Sequence, residues 1–146
     1  MANNPLYGQE SYDKNVGDII NPGAPATAIG TGGQTLLMEE ILRQVIEEDP
    51  AGAAPWTLPT PALAVAGIPG VQIGDCVDFY IINGATTGAD EIITITMPSG
   101  ATAVGNMLVA APNVTEDQEN AGSGHFRIRF TNVTSSSETY SCYRLA

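Results

Sequence analysis

Period-2 alternation in the last third of the chain constrains its fold more than any other feature. His125-Phe126-Arg127-Ile128-Arg129-Phe130-Thr131-Asn132-Val133-Thr134 alternates polar with apolar side chains. After Ser135-Ser136-Ser137 the alternation resumes through Glu138-Thr139-Tyr140-Ser141-Cys142-Tyr143-Arg144-Leu145. One face of each segment is therefore apolar, the pattern of two half-buried antiparallel strands joined by a short loop. Further strand-like segments lie at 76–83, 91–97 and 102–110, with Asn83-Gly84 and Ser99-Gly100 as turn signals. Five strands with one or two helices predict a mainly-β domain, an antiparallel β-sandwich of jelly-roll-like type.

Helical spacing is expected in two places. Over 34–48, Leu37, Met38, Ile41, Leu42, Val45 and Ile46 fall on one stripe, and Glu39, Glu40, Arg43, Gln44, Glu47 and Glu48 on the other. Glu39–Arg43 and Arg43–Glu47 are i,i+4 pairs, and Asp49-Pro50 closes the segment. The glutamate face is read as solvated rather than metal-binding. Residues 50–59 read as an irregular connector around the single tryptophan, Trp56. Thr60-Pro61 then resembles an N-cap with proline at the first helical position, opening a short uncharged helix to Ala66 that is expected to be buried. Residues 1–33 hold six glycines, three prolines and four asparagines and show no period. They are read as an extended N-terminal arm lying against a partner, with Leu6, Tyr7, Tyr12, Val16, Ile19 and Ile20 as its anchors. Residues 34–146 form a single β-rich domain.

Charge excludes several function classes. Five cations, Lys14, Arg43, Arg127, Arg129 and Arg144, face sixteen carboxylates, for a net charge of −11. Phosphate neutralisation needs clustered cations, so nucleic acid is not an expected partner, and an anionic membrane would repel this surface. No stretch is apolar enough to span a bilayer, and Met1-Ala2-Asn3-Asn4-Pro5 lacks a signal-peptide pattern, so the chain is expected in the cytosol where it is made. Cys76 and Cys142 are then expected to be buried free thiols, although a disulfide stays open outside the cell. Asn113-Val114-Thr115 and Asn132-Val133-Thr134 match the glycosylation sequon by chance on this reading.

Catalytic chemistry is not expected. A single histidine excludes a multi-histidine metal centre, and neither Gly-x-Ser-x-Gly nor a phosphate-binding Gly-x-x-x-x-Gly-Lys occurs. Gly30-x-Gly32-Gly33 lacks the preceding strand and the lysine of a phosphate loop. Asp75 with Asp78 is one of many chance carboxylate pairs. No cofactor is expected. His125, Arg127 and Arg129 share one strand face and gather a positive stripe. They are candidates for an oligomer interface with another copy's acidic surface, such as the Glu116-Asp117-Gln118-Glu119 loop, or for local cross-strand pairing with Glu138 or Glu91.

Four blocks in order carry a resemblance. They are the 34–48 segment ending Asp49-Pro50 with Gly52 after it, and Leu58-Pro59-Thr60 leading to Ile68-Pro69-Gly70-Val71-Gln72-Ile73-Gly74. Then come Asp78-Phe79-Tyr80-Ile81-Ile82-Asn83 with Glu91-Ile92-Ile93-Thr94-Ile95-Thr96, and the two closing strand segments. Over 36–145 the chain resembles a family of tailed-bacteriophage structural proteins, the capsid decoration (cement) or head-fibre-like proteins. Ala53-Ala54-Pro55-Trp56 departs from the family's polar, arginine-containing connector. The resemblance implies a non-enzymatic homotrimer on the outer surface of a phage head, assembled in the host bacterial cytoplasm. Its partner would be the major capsid protein, and it would link neighbouring capsid subunits against outward pressure. The alternative is a fibre or receptor-binding module for a host glycan, with Trp56, Tyr140 and the 112–123 loop as candidate contacts.

Overall fold

The computed structural model of the chain describes residues 26–27, 32–85, 91–112 and 122–146. In chain order the elements are β1 (Ala26–Thr27), β2 (Gln34–Thr35), α1 (Met38–Ile41), β3 (Val45–Glu48), β4 (Ala54–Thr57), α2 (Pro61–Ala66) and β5 (Cys76–Asn83). There follow β6 (Ile93–Thr96), β7 (Ala101–Val104), β8 (Leu108–Val109), β9 (Ser123–Asn132) and β10 (Thr139–Arg144). They build a six-stranded sheet in the order β1-β3-β5-β9-β10-β7 and a four-stranded sheet in the order β2-β4-β6-β8. The expected antiparallel sandwich holds at the level of a strand-dominated fold with few helices. The pairing itself is mixed: β5, β9 and β10 run antiparallel, but β3 and β7 join them in parallel, and β2, β4 and β6 are parallel to one another.

The period-2 reading of the central strands holds because one face of the large sheet is buried. Phe126, Ile128 and Phe130 of β9 alternate with His125, Arg127 and Arg129. The register sets Phe79 opposite Phe126, Val77 opposite Ile128, and Cys142 opposite Ile128 from the other side. Phe79 and Phe126 stack at 5.5 Å, and Phe130 meets Tyr140 edge-on at 6.4 Å. Ala54, Trp56, Ile93, Ile95 and Val109 of the small sheet enter the same hydrophobic cluster, so both sheets share one core. The β9–β10 loop turns at Ser136 (φ 69°), with the Asn132 side chain accepting the Thr134 amide.

The helix expected over 34–48 is one turn long. After Ile41 the chain turns, Gln44 takes a left-handed φ of 69°, and Val45–Glu48 is a strand. Val45 and Ile46 are β-branched, which favours strand over helix. Parallel pairing with β5 sets Ile46 beside Ile81, both buried. The apolar stripe therefore splits: Met38, Ile41 and Ile46 are buried, while Leu37 and Leu42 are exposed. Neither i,i+4 pair lies within a helix. The connector over 50–59 is also reassigned, because Ala54–Thr57 is an inner strand of the small sheet with Trp56 wholly buried. α2 has the expected bounds, and Thr60 Oγ1 accepts the Leu63 amide. Only Pro61 and Ala64 of it are buried, however, and Leu63 is 58% exposed. The strand expected over 102–110 divides at Gly105 (φ 98°), which carries the chain from β7 in the large sheet to β8 in the small one. β1, inside the segment read as an arm, pairs with β3. The anchors Leu6, Tyr7, Tyr12, Val16, Ile19 and Ile20, and the loop residues 113–121, lie outside the described residues.

Candidate functional site

The outer face of the six-stranded sheet carries the polar side chains that the sequence singled out. Antiparallel register between β5 and β9 sets Tyr80 opposite His125, Asp78 opposite Arg127 and Cys76 opposite Arg129. β10 extends two of these rows with Tyr143 and Ser141. Directly opposed residues on one face are close enough to interact. Arg127 grips Asp78 with two bonds, Nε to Oδ1 at 2.6 Å and Nη2 to Oδ2 at 2.7 Å. His125 Nε2 lies 3.3 Å from the same Oδ2, and the Tyr80 ring stacks on the imidazole at 4.3 Å. The Arg127 bonds hold the Asp78 carboxyl below its ordinary value, against the opposing effect of burial. The carboxylate in turn raises the Arg127 pKa.

This geometry breaks up the expected positive stripe. Asp78 supplies the counter-ion for Arg127 and lies within bonding distance of His125, a partner not among the acids expected from sequence. Arg129 makes no ion pair among the described residues and is exposed. A fourth cation, Arg144, is used inside the molecule. Its guanidinium lies 5.0 Å from the Phe126 ring centre and donates to the carbonyls of Leu108, Ser123 and Ala146, tying β10 to β8 and β9. Burial lowers its pKa. A side chain at Gly124 would collide with that guanidinium, its Cβ only 2.9 Å from Nη1.

Beside Asp78, where the turn after α1 meets β5, Leu42, Gln44, Cys76, Val77 and Asp78 line an open cleft of about 150 Å³. Clefts that hold drug-sized ligands are at least twice as large, about 300–1,000 Å³. Cys76 is exposed here rather than buried, and its thiol is free. It sits four residues along β5 from the row holding His125, about 13 Å at strand rise, too far for a thiol–imidazole couple. Cys142 belongs to the opposite, buried face, where burial pushes its thiol up to about 12. The two cysteines therefore cannot bond to each other. Asp75 does not join Asp78 either; it accepts the Gln72 amide within a turn.

The side chains considered for a glycan platform are in the core. Trp56 is 0% and Tyr140 1% exposed, and the Tyr140 hydroxyl donates to Pro59 O. Neither ring can offer a face to a sugar. Among the described residues, no group of three His, Cys, Asp or Glu could hold a metal ion, and no helix is long and apolar enough to cross a membrane. Comparison with known protein families, with characterised proteins and with solved structures finds no match to this chain.

The Asp78–Arg127 pair makes a pH prediction. A carboxylate depressed in the fold stabilises it above the ordinary value of 3.8, and that contribution is lost as pH falls through the lower folded value. Denaturant unfolding of the wild type should therefore show an acid limb below about pH 4. Asp78→Asn and Arg127→Gln should each flatten that limb while changing the neutral-pH midpoint only slightly, because the pair is partly exposed. An unchanged acid limb in both variants would remove Asp78 from the account.

Proposed function

We propose that this protein is a capsid decoration (cement) protein, a non-enzymatic structural component that binds the outside of a phage head and links neighbouring capsid subunits. The order of the four sequence blocks supports the family reading. What supports the binding mode is the position of β1. It is the outermost strand of the six-stranded sheet, so residues 1–25 are attached at the sheet's rim. Twenty-five residues can reach at most about 85 Å from that rim, enough to cross onto a neighbouring capsid subunit. The apolar residues Leu6, Tyr7, Tyr12, Val16, Ile19 and Ile20 would supply the contact with the major capsid protein. In a homotrimer, as the resemblance implies, three such segments bind together, and avidity makes the attachment tight even when each segment binds modestly. Net negative charge keeps the free protein soluble and away from packaged DNA. The place of action is the capsid surface of the virion, after assembly in the bacterial cytoplasm.

Deletion of residues 1–25 is expected to abolish attachment to purified capsids while leaving the circular dichroism spectrum and melting temperature of the domain unchanged. The cut must stop short of Ala26, because β1 and β2 follow. Quantitative mass spectrometry of virions is expected to find about one copy per capsid subunit. A few copies per particle, or full attachment without residues 1–25, would overturn the proposal.

A further inference from the structure

Charge is unevenly distributed along this chain: no charged residue and no histidine occurs between Glu91 and Glu116. That stretch supplies β6, β8 and the whole of β7. β7 is the outermost strand of the six-stranded sheet, paired with β10 on one side and, among the described residues, with nothing on the other. Edge strands are normally shielded from pairing by short length, by lysine or proline, or by a bulge. The other outer strands, β1, β2 and β8, are two residues long. β7 is four residues long, in unbroken register with β10 from Ala101 to Val104, and has no lysine, proline or bulge. Thr102, Ala103 and Val104 are all exposed. Leu108 and Leu145, 44% and 45% exposed, flank the residue that closes this end of the sheet, Arg144, which binds Leu108 O and lies against Gly105.

We propose that β7 is a self-association edge, at which two copies of this chain pair antiparallel about a two-fold axis through Ala103. The Tyr140 amide donates to Gly100 O, so the backbone groups of Gly100, Thr102 and Val104 face β10. The amide and carbonyl of Ala103 face outward by strand alternation, as does the carbonyl of Ala101, whose amide is donated to Pro98 O. A two-fold axis at Ala103 sets Ala103 against its own copy, so that its outward amide and carbonyl are exchanged between the two copies. The same register sets Thr102 beside Val104 of the second copy, which keeps like faces together. A shift by one residue would oppose buried-face and solvent-face side chains. Charge selects a second copy as the occupant. At a net charge of −11, two copies repel wherever their carboxylates approach, and here an uncharged strip meets itself. The contact is self-complementary and needs no other surface. It does not rest on the cement reading: a three-fold assembly built elsewhere leaves β7 outermost, and pairing through β7 then doubles it.

Light scattering of the full chain after size exclusion, over a dilution series, tests this. Ala103→Pro removes the outward amide at the axis and leaves the bonds to β10 intact. Val104→Glu adds a carboxylate at a side chain already 41% exposed, so the fold is preserved, as its melting curve will report. The wild type is expected to have twice the mass of either variant at high concentration and to fall to their mass on dilution. Exchange of the Ala103 amide with solvent is expected to slow as concentration rises. Equal masses for the wild type and folded Val104→Glu, or an Ala103 exchange rate independent of concentration, would overturn the proposal.

Discussion

Trp56→Ala should destabilise the domain by about 3–5 kcal/mol, the cost of emptying a large aromatic site in a core that cannot fully collapse. Trp56 is 0% exposed on an inner strand, opposite Gln34 of β2 and Ile95 of β6. Its ring joins the cluster shared by both sheets, so the cavity would open between them. Trp56→Phe should behave differently. The indole Nε1 has no hydrogen-bond partner among the described residues. A buried donor left unpaired costs about 1–3 kcal/mol. Phenylalanine removes that donor while keeping most of the apolar ring, so a net loss under about 2 kcal/mol is expected. Urea unfolding followed by far-UV circular dichroism checks both, since the tryptophan signal is gone in each variant. Midpoints should shift with little change in slope. A near-neutral Trp56→Ala would return the ring to the surface and reopen a carbohydrate-facing role for it.

The contrast between β9 and β4 shows what sequence could reveal. His125 through Phe130 alternates cleanly because that strand buries one face and wets the other, and β5 is legible for the same reason. β4 conceals itself behind Pro55, which normally argues against an inner strand. The structure accommodates it locally: pairing with β2 begins only at Trp56, and Gly33 lies against the Pro55 ring where a Cβ would come within 2.8 Å of Cγ. The apolar residues from Leu37 to Ile46 suit a helix and a helix–strand junction almost equally, and β5, more than thirty residues away, decides between them. Uncharged composition misled at α2, since absence of charge does not bury a helix whose exposed face carries Leu63. The polar cluster was half legible. Alternation set His125, Arg127 and Arg129 on one face, but their counter-ion is fixed by the β5–β9 register. Pairing of Asp78 with Arg127 across 49 positions is a tertiary fact that no local pattern carries.

Asn83 at the end of β5 should prove as sensitive as the tryptophan. It is 1% exposed, and its side chain has three backbone partners. Nδ2 donates to Glu91 O at 2.7 Å and to Val109 O at 3.0 Å, while Oδ1 accepts the Ala85 amide at 3.1 Å. The first partner lies two residues before β6 and the second in β8. One amide group therefore ties the last residue of a large-sheet strand to β8 of the small sheet and to the segment that leads into β6. Asn83-Gly84 read from sequence as a turn signal, but the side chain's role in the structure is to satisfy main-chain groups between the sheets. Asn83→Ala removes the side-chain partner of the buried Val109 carbonyl and Ala85 amide, and one bond to the part-buried Glu91 carbonyl. At about 1–3 kcal/mol for each group left unpaired, and with water able to restore some, a loss of about 3 kcal/mol is expected. Asn83→Asp tests the geometry more sharply. At neutral pH its carboxylate would face the Glu91 and Val109 carbonyls, replacing two attractive contacts with repulsive ones. It should therefore be less stable than Asn83→Ala despite being closer in shape. Acidification should narrow that gap, because a protonated aspartic acid can again donate one bond. Parallel urea titrations of the two variants at neutral and acidic pH measure the gap, and a variant order that ignores pH would show that Asn83 acts by filling space rather than by bonding.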